Sequence, residues 1–379
     1  MALSESVLPM KKLLKIEPKR IQQHDIIKYL KSKKDFEIYF SWCQTEVPFS
    51  LCDRTQTFDM PLNFHIRHPI KPLSSNVQTY SDACDSRAKE IIELAEKTDS
   101  MIYVFWSGGL DSTVILTSFL SNSTDIQQKR FTVLLTQNSI KENPIFFKNF
   151  ILGKLSYESA IVDFSKIFNR EKSIFVHGES QDQMYATPGN KMHLSQELDD
   201  IATPNSLMKY LVKDQDNQFS MELSEDLTYM LSTSAQSVGL KLEKKIDFLW
   251  WRSFCFGSQS TDVRFFQSLN LKDDSVNVEL LDQNIITFFM SPKFDQFIMH
   301  RVQNNKVSIL NEYKKEPREY IFAFDKNVDY YKNKGKVGSG PALVASEDSH
   351  YALDDSFRSV SPETLMEYYN PNNVFSKYR

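Results

Sequence analysis

An α/β fold, a parallel sheet flanked by helices with a mainly helical C-terminal part and a small N-terminal region, is predicted by three features of the chain. Three near-continuous apolar runs rich in β-formers, MIYVFW at 101–106, RFTVLLT at 130–136 and KSIFVHG at 172–178, have the composition of strands buried on both faces. The stretches between them, NPIFFKNFILGKL among these, have the length and pattern of crossover helices. The first run ends at an adjacent glycine pair, in SGGLDS at 107–112. TVILTSFL at 113–120 then opens a helix, so strand, tight turn and helix follow one another directly.

Residues 1–95 read as an N-terminal region of helix and irregular strand, punctuated by turn signals at Pro48, Pro61, Pro69 and Pro72. Within it, SDACDSRAKEIIELAEKTDS at 81–100 carries Ala83, Ala88, Ile91, Ile92 and Ala95 near helical spacing, with Ser81 or Asp82 as the cap. Residues 96–260 form a second unit around the three strands. From Pro204 onward SLMKYLV, LSEDLTYMLSTSAQSVG and KKIDFLWWRSFCF predict helices, and Trp250, Trp251 and Phe254 are expected in the core. Residues 261–379 form a third, helical and lid-like region. Its Lys-rich segment at 312–341 ends in glycines and reads as a partly mobile loop.

Hydrophobic residues make up 41% of the 379 and charged residues 25%, the balance of a soluble globular chain rather than a disordered one. The formal net charge of -4 builds in no attraction to a polyanion, so charge does not support a nucleic-acid partner. Cys43, Cys52, Cys84 and Cys255 lie far apart without a CxxC pair, which argues against a disulfide framework or structural zinc and for a reducing compartment. His65 and His68 have no accompanying ligand cluster and read as packing or surface residues. The N-terminal segment mixes Lys, Glu and Pro with short apolar runs and offers no membrane-spanning or secretory stretch; a cytoplasmic location is expected.

A strand, SGGLDS and a helix together make a cup of backbone N–H groups at a helix N-terminus, where glycines let phosphate oxygens approach the main chain. Ser107 and Ser112 add hydroxyls. Asp111 cannot hold an anion by itself, so a carboxylate in a phosphate site implies a bridging divalent cation. Neither GxxxxGK[ST] nor GxGxxG is present, which disfavours a Walker-type or dinucleotide-binding loop.

SGGLDS resembles the signature of the PP-loop ATP pyrophosphatases, HUP-like proteins that bind ATP and break it between the α- and β-phosphates. That resemblance implies that Ser107, Gly108, Gly109, Leu110, Asp111 and Ser112 cradle the triphosphate and that adenine rests against backbone around Leu135. HGESQDQMY at 177–185 is similar to the GEGSDELF-type segment of the asparagine synthase synthetase domain. Gly178, Glu179, Asp182 and Met184 correspond, while Ser180 and Gln181 replace Gly and Ser and Gln183 replaces the second Glu. By this resemblance Gly178 belongs to the nucleotide site, Asp182 joins Asp111 in holding Mg2+ on the pyrophosphate, and Glu179 assists at the reacting carbonyl or amine. YKKEPREY sets Lys314 and Arg318 at the spacing of that domain's KxxLR segment, with Pro317 in the Leu position, which implies cations facing the phosphates. Lys334 and Lys336 are alternatives for that role, and Ser339 and Gly340 would belong to a closing lid.

The resemblance spans about residues 90–340 and extends to stand-alone asparagine-synthase-like proteins of bacteriophages. It implies a ligase that cleaves ATP to AMP and pyrophosphate. A carboxylate or amide oxygen of a small acceptor is adenylated, then attacked by ammonia or an amine. No Cys follows Met1 and no glutaminase domain is recognisable, so ammonia release from glutamine in the manner of asparagine synthase is not expected. A PP-loop enzyme acting on a nucleobase or nucleic acid and a non-catalytic ATP-binding protein are the other readings. Acceptor, nitrogen donor and oligomeric state stay open.

Overall fold

Strands whose residues are apolar on both faces need cover on both, and the three apolar runs form the centre of a five-stranded parallel sheet with helices packed against it. The computed structural model describes residues 11–16, 39, 42–43, 51–160, 172–185, 196–212, 218–268, 282–304, 314–334, 352–356, 358–370 and 372. The order is β1 (Leu13–Ile16), α1 (Tyr80–Thr98), β2 (Met101–Phe105), α2 (Leu110–Ser121), β3 (Phe131–Leu135), α3 (Gln137–Glu142), β4 (Ser156–Ser159), β5 (Ser173–His177) and α4 (Gln181–Met184). There follow α5 (Pro204–Leu211), α6 (Gln218–Ser237), α7 (Lys245–Trp251), α8 (Ser258–Ser268), β6 (Ile285–Thr287), α9 (Pro292–Asn304), α10 (Lys315–Asp325), α11 (Val328–Asn333), β7 (Ala352–Asp354) and β8 (Ser359–Val360).

The sheet runs β4-β3-β2-β5-β6, with Ile102 opposite Phe131 and Met101 opposite Ser173 in the central registers. The chain winds from β2 outward through β3 to β4, then returns to the other side of β2 to lay down β5 and β6. The winding therefore reverses between β2 and β5. Loops leaving the carboxyl ends of these two strands diverge there and open a crevice, the place where ligands sit in open α/β sheets. The apolar faces of α1 and α2 share the main core with Ile102, Val104 and Val176, while Trp106, Leu116, Val133, Leu135, Phe146 and Ile151 form a second cluster.

Several local expectations are corrected. Thr79, not Ser81 or Asp82, caps α1: its hydroxyl accepts from the Asp82 N–H, and Asp82 answers from the N3 position in a capping box. Helix α2 begins at Leu110 rather than at Thr113, with Gly109 as its cap. Helices α10 and α11 occupy much of the segment read as a mobile loop. Pro317 is tolerated because it lies in the first turn of α10, where its missing N–H is not needed, and it is buried with Ile321 against the rest of the molecule. Strand β4 carried no apolar run of its own: SYES is a largely exposed edge strand. Strand β6 is three buried residues at the head of the apolar run IITFFM at 285–290, which sequence reasoning passed over.

Trp250, Trp251 and Phe254 are core residues, with Trp250 and Phe254 stacked at 5.1 Å. All four cysteines are free and buried, and burial pushes the Cys43 and Cys52 thiols up to about 12. Strand β1 pairs antiparallel with β7, and β7 with β8, so the first and last described strands share a small second sheet. Residues 52–54 are joined to the π-helical stretch Arg252–Gly257, whose Cys255 and Phe256 carbonyls accept from Arg54 N–H and Cys52 N–H at 3.4 and 3.0 Å. Among the described residues no helix is long and apolar enough to cross a membrane.

Candidate active site

The turn after β2 is built on two glycines with different duties. Gly108 adopts φ 78°, the left-handed region that a side chain disfavours, and a Cβ there would collide with the Ser139 carbonyl and come within 2.8 Å of Glu142 Cβ. Gly109 is extended at φ -73° and caps α2, and its N–H donates to Ser107 Oγ at 3.3 Å. Ser112 Oγ accepts from the Ser107 N–H at 3.0 Å and the two hydroxyls lie 3.0 Å apart, closing the turn. From behind, Tyr330 of α11 donates to the Gly108 carbonyl at 3.0 Å, and the buried Lys334–Glu142 ion pair fastens α11 to α3. Gly108→Ala is expected to destabilise the protein by about 1–3 kcal/mol, because backbone rather than a flexible side chain blocks the new methyl. Denaturant titration and thermal melts check this; wild-type values in both would show that the turn can relax.

Across the crevice, β5 ends in His177 and passes through Gly178 to Glu179. A Cβ on Gly178 would lie 3.1 Å from Ile115 Cδ1 and 3.3 Å from Asp111 Cβ, so this glycine lets the two loops touch. Ser180 takes φ 75° at a position where the similar segment has Gly, and it starts α4, which carries Asp182. Between the loops lies a cleft of ≈ 120 Å³, lined among others by Phe105, Ser107, Asp111, Thr136, Glu179 and Phe265.

Lys314 reaches this point from more than two hundred residues away. Its Nζ lies 2.5 Å from Asp111 Oδ1 and 2.6 Å from Asp182 Oδ1, so one buried ammonium joins the two carboxylates that the sequence paired. Lys314 sits at the N-cap of α10 with φ 52°. Burial pushes the Asp111 carboxyl up to about 6 against the pull of Lys314, and Asp182 and Glu179 add to the rise, although 27% of the side chain stays open to the cleft. The native state therefore holds this proton more tightly than the unfolded chain. Stability should fall as pH rises from the ordinary 3.8 to about 6, and in the native protein the carboxylate charge should appear as pH passes about 6. Melting temperature against pH for wild type and Asp111→Asn checks the sign; identical curves would remove Asp111 as the source.

The other predicted residues fall into place unequally. Arg318 donates to the carbonyls of Tyr331 and Lys334 at 3.0 and 3.4 Å, at the end of α11. The Leu135 side chain belongs to the second core cluster, and its neighbours Leu134 and Thr136 line the cleft. Leu110 is partly buried against the main core. Lys336, Ser339 and Gly340 lie outside the described residues. Thr136 fell within the stretch expected near adenine, whereas Ser139, His177, Phe265 and Tyr330 were not singled out by sequence reasoning. Thr136 and Ser139 had a legible signal, the T-x-x-S spacing of the reciprocal cap that starts α3, whereas Phe265 and Tyr330 had none.

Among the described residues no group of three or more His, Cys, Asp or Glu forms a self-sufficient metal cage. Two carboxylates suit a magnesium ion that completes its shell with phosphate oxygens and water. No protein-family model matches the chain, and comparisons with curated proteins and with solved structures likewise find no match.

Proposed function

We propose that the chain is a PP-loop, HUP-like enzyme that binds Mg-ATP and cleaves it to AMP and pyrophosphate while joining a nitrogen nucleophile to a small acceptor. The observation that carries this reading is the junction at the switch point. The turn at 107–112 and the start of α4 converge on one cleft, where Asp111 and Asp182 share the ammonium of Lys314. The extended backbone at Gly109 and the N-terminus of α2 would receive the triphosphate, and the helix dipole favours its negative charge. Magnesium held by Asp111, Asp182 and phosphate oxygens would neutralise charge on the leaving pyrophosphate. Lys314, paired with both carboxylates, would pass to phosphate oxygens as the triphosphate enters. Glu179, on the cleft wall beside Gly178, would orient the acceptor or accept a proton from the attacking amine.

The test is the phosphorus spectrum of ATP incubated with the protein, magnesium, pooled amino acids and ammonium. AMP and pyrophosphate in equal amounts are expected. ADP with phosphate would overturn the proposal, and binding of ATP without turnover in any acceptor pool would reduce the chain to an ATP-binding protein.

A further inference from the structure

A buried polar chain runs from the N-terminal region to the wall of the cleft. Arg67 pairs with Asp262 of α8 and, through Nε, with Asp282 at 2.6 Å. Thr287, the last residue of β6, donates its hydroxyl proton to Asp262 Oδ1. The same hydroxyl oxygen lies 3.0 Å from His177 Nε2, and His177 Nδ1 accepts from the Glu179 backbone N–H at 3.4 Å. His177, Thr287 and Asp262 are each no more than 1% exposed.

These partners leave one proton arrangement. A backbone N–H can only donate, so Nδ1 must present its lone pair and the ring proton must sit on Nε2. The Thr287 hydroxyl has already given its hydrogen to Asp262, so its oxygen is the acceptor for Nε2–H. A second ring proton would set N–H against N–H at Glu179. Arg67 is shared between Asp262 and Asp282, and the His177 and His68 Nε2 atoms stand 3.6 and 3.8 Å from the Asp262 oxygens, beyond hydrogen-bond distance. Burial and the nearby Arg67 hold the His177 imidazole below its ordinary range, in the neutral form. The ring is also held face to face with Phe265 at 3.8 Å and 8°, and both rings line the cleft.

We propose that His177 is a positioning residue, fixed in its Nε2–H tautomer by the relay from Arg67 through Asp262 and Thr287, and that this relay sets the Glu179 peptide against the bound acceptor. The segment containing Arg67 thereby acquires a role in the cleft although it lies outside the sheet. The part of the proposal that concerns turnover rests on the ATP reading above; the part that concerns the tautomer does not.

Imidazole nitrogen spectra of the 15N-labelled protein at pH 7, with the His177 signals identified by their loss in His177→Gln, test the tautomer. Unprotonated Nδ1 and protonated Nε2 are expected. Thr287→Val, which keeps the shape and removes the hydroxyl, should release the tautomer and lower pyrophosphate turnover by about ten- to a hundredfold with the KM for ATP unchanged, and Thr287→Ser should restore both. An Nδ1–H or doubly protonated ring in the wild type would overturn the proposal. So would wild-type turnover in Thr287→Val, or a Thr287→Ser variant as impaired as Thr287→Val. If the wild type forms no pyrophosphate, the ATP reading fails and the spectra alone decide the relay.

Discussion

Asp111→Asn should reduce magnesium-dependent pyrophosphate formation by at least about a thousandfold while leaving the fold intact. The substitution keeps the size of the side chain and removes the charge that lies 2.5 Å from Lys314 Nζ and faces the cleft. Its effect on stability should have the opposite sign to its effect on activity. Burial raises the Asp111 carboxyl to about 6, so above that pH its charge is a cost to the native state that Asn does not carry. Lys314 keeps Asp182 as a partner at 2.6 Å, which limits the loss from the broken pair. An inactive variant that melts at or above the wild-type temperature at pH 8 is therefore the expected result, and Asp182→Asn should be similarly inactive. Near-normal turnover in either variant would remove that residue from the mechanism.

Arg54→Met should cost about 3–5 kcal/mol of stability, because it strands a buried carboxylate. Arg54 is 1% exposed and donates to both Asp295 oxygens at 3.1 and 3.2 Å, to the Phe254 carbonyl at 3.1 Å and to the His68 carbonyl at 2.7 Å. It fastens the segment after residue 51 to the π-helical stretch and to α9 together. Burial already pushes the Asp295 carboxyl up, and Arg54 is what opposes that rise. Denaturant titration measures the loss. The double variant Arg54→Met, Asp295→Leu should recover much of it, since two apolar side chains replace a charge left alone. A single variant within about 1 kcal/mol of wild type would show that water reaches Asp295.

The contrast between these two sites shows what could be read in advance. SGGLDS and the segment at 177–185 are each contiguous, and each follows an apolar run that can only be a buried strand. The sequence put each at the carboxyl end of its own parallel strand, and only the sheet order makes the two strands neighbours. Asp111 was legible from the strand-turn-helix unit around it, and Glu179 and Asp182 through the resemblance of 177–185 to the synthetase segment. Arg54 and Arg67 were not, because nothing in the composition of 51–70 distinguishes an arginine that enters a core from one that stays in water. Lys314 was legible as a motif position, and its use as a bridge between two carboxylates was not.

The sequence by itself determined the central strands, the glycine turn that joins the first of them to a helix, and the carboxylate in that turn, because each depends on neighbours within one strand-turn-helix unit. Tertiary structure alone decided which side chains meet. Lys314 and Asp111 are 203 positions apart, and Thr287 and His177 are 110 apart. β4 and β6 lie at the two edges of the sheet, paired with β3 and β5. Contacts of that range arise from packing the whole core, in which a short polar run such as SYES takes its conformation from the partner strand rather than from its own residues.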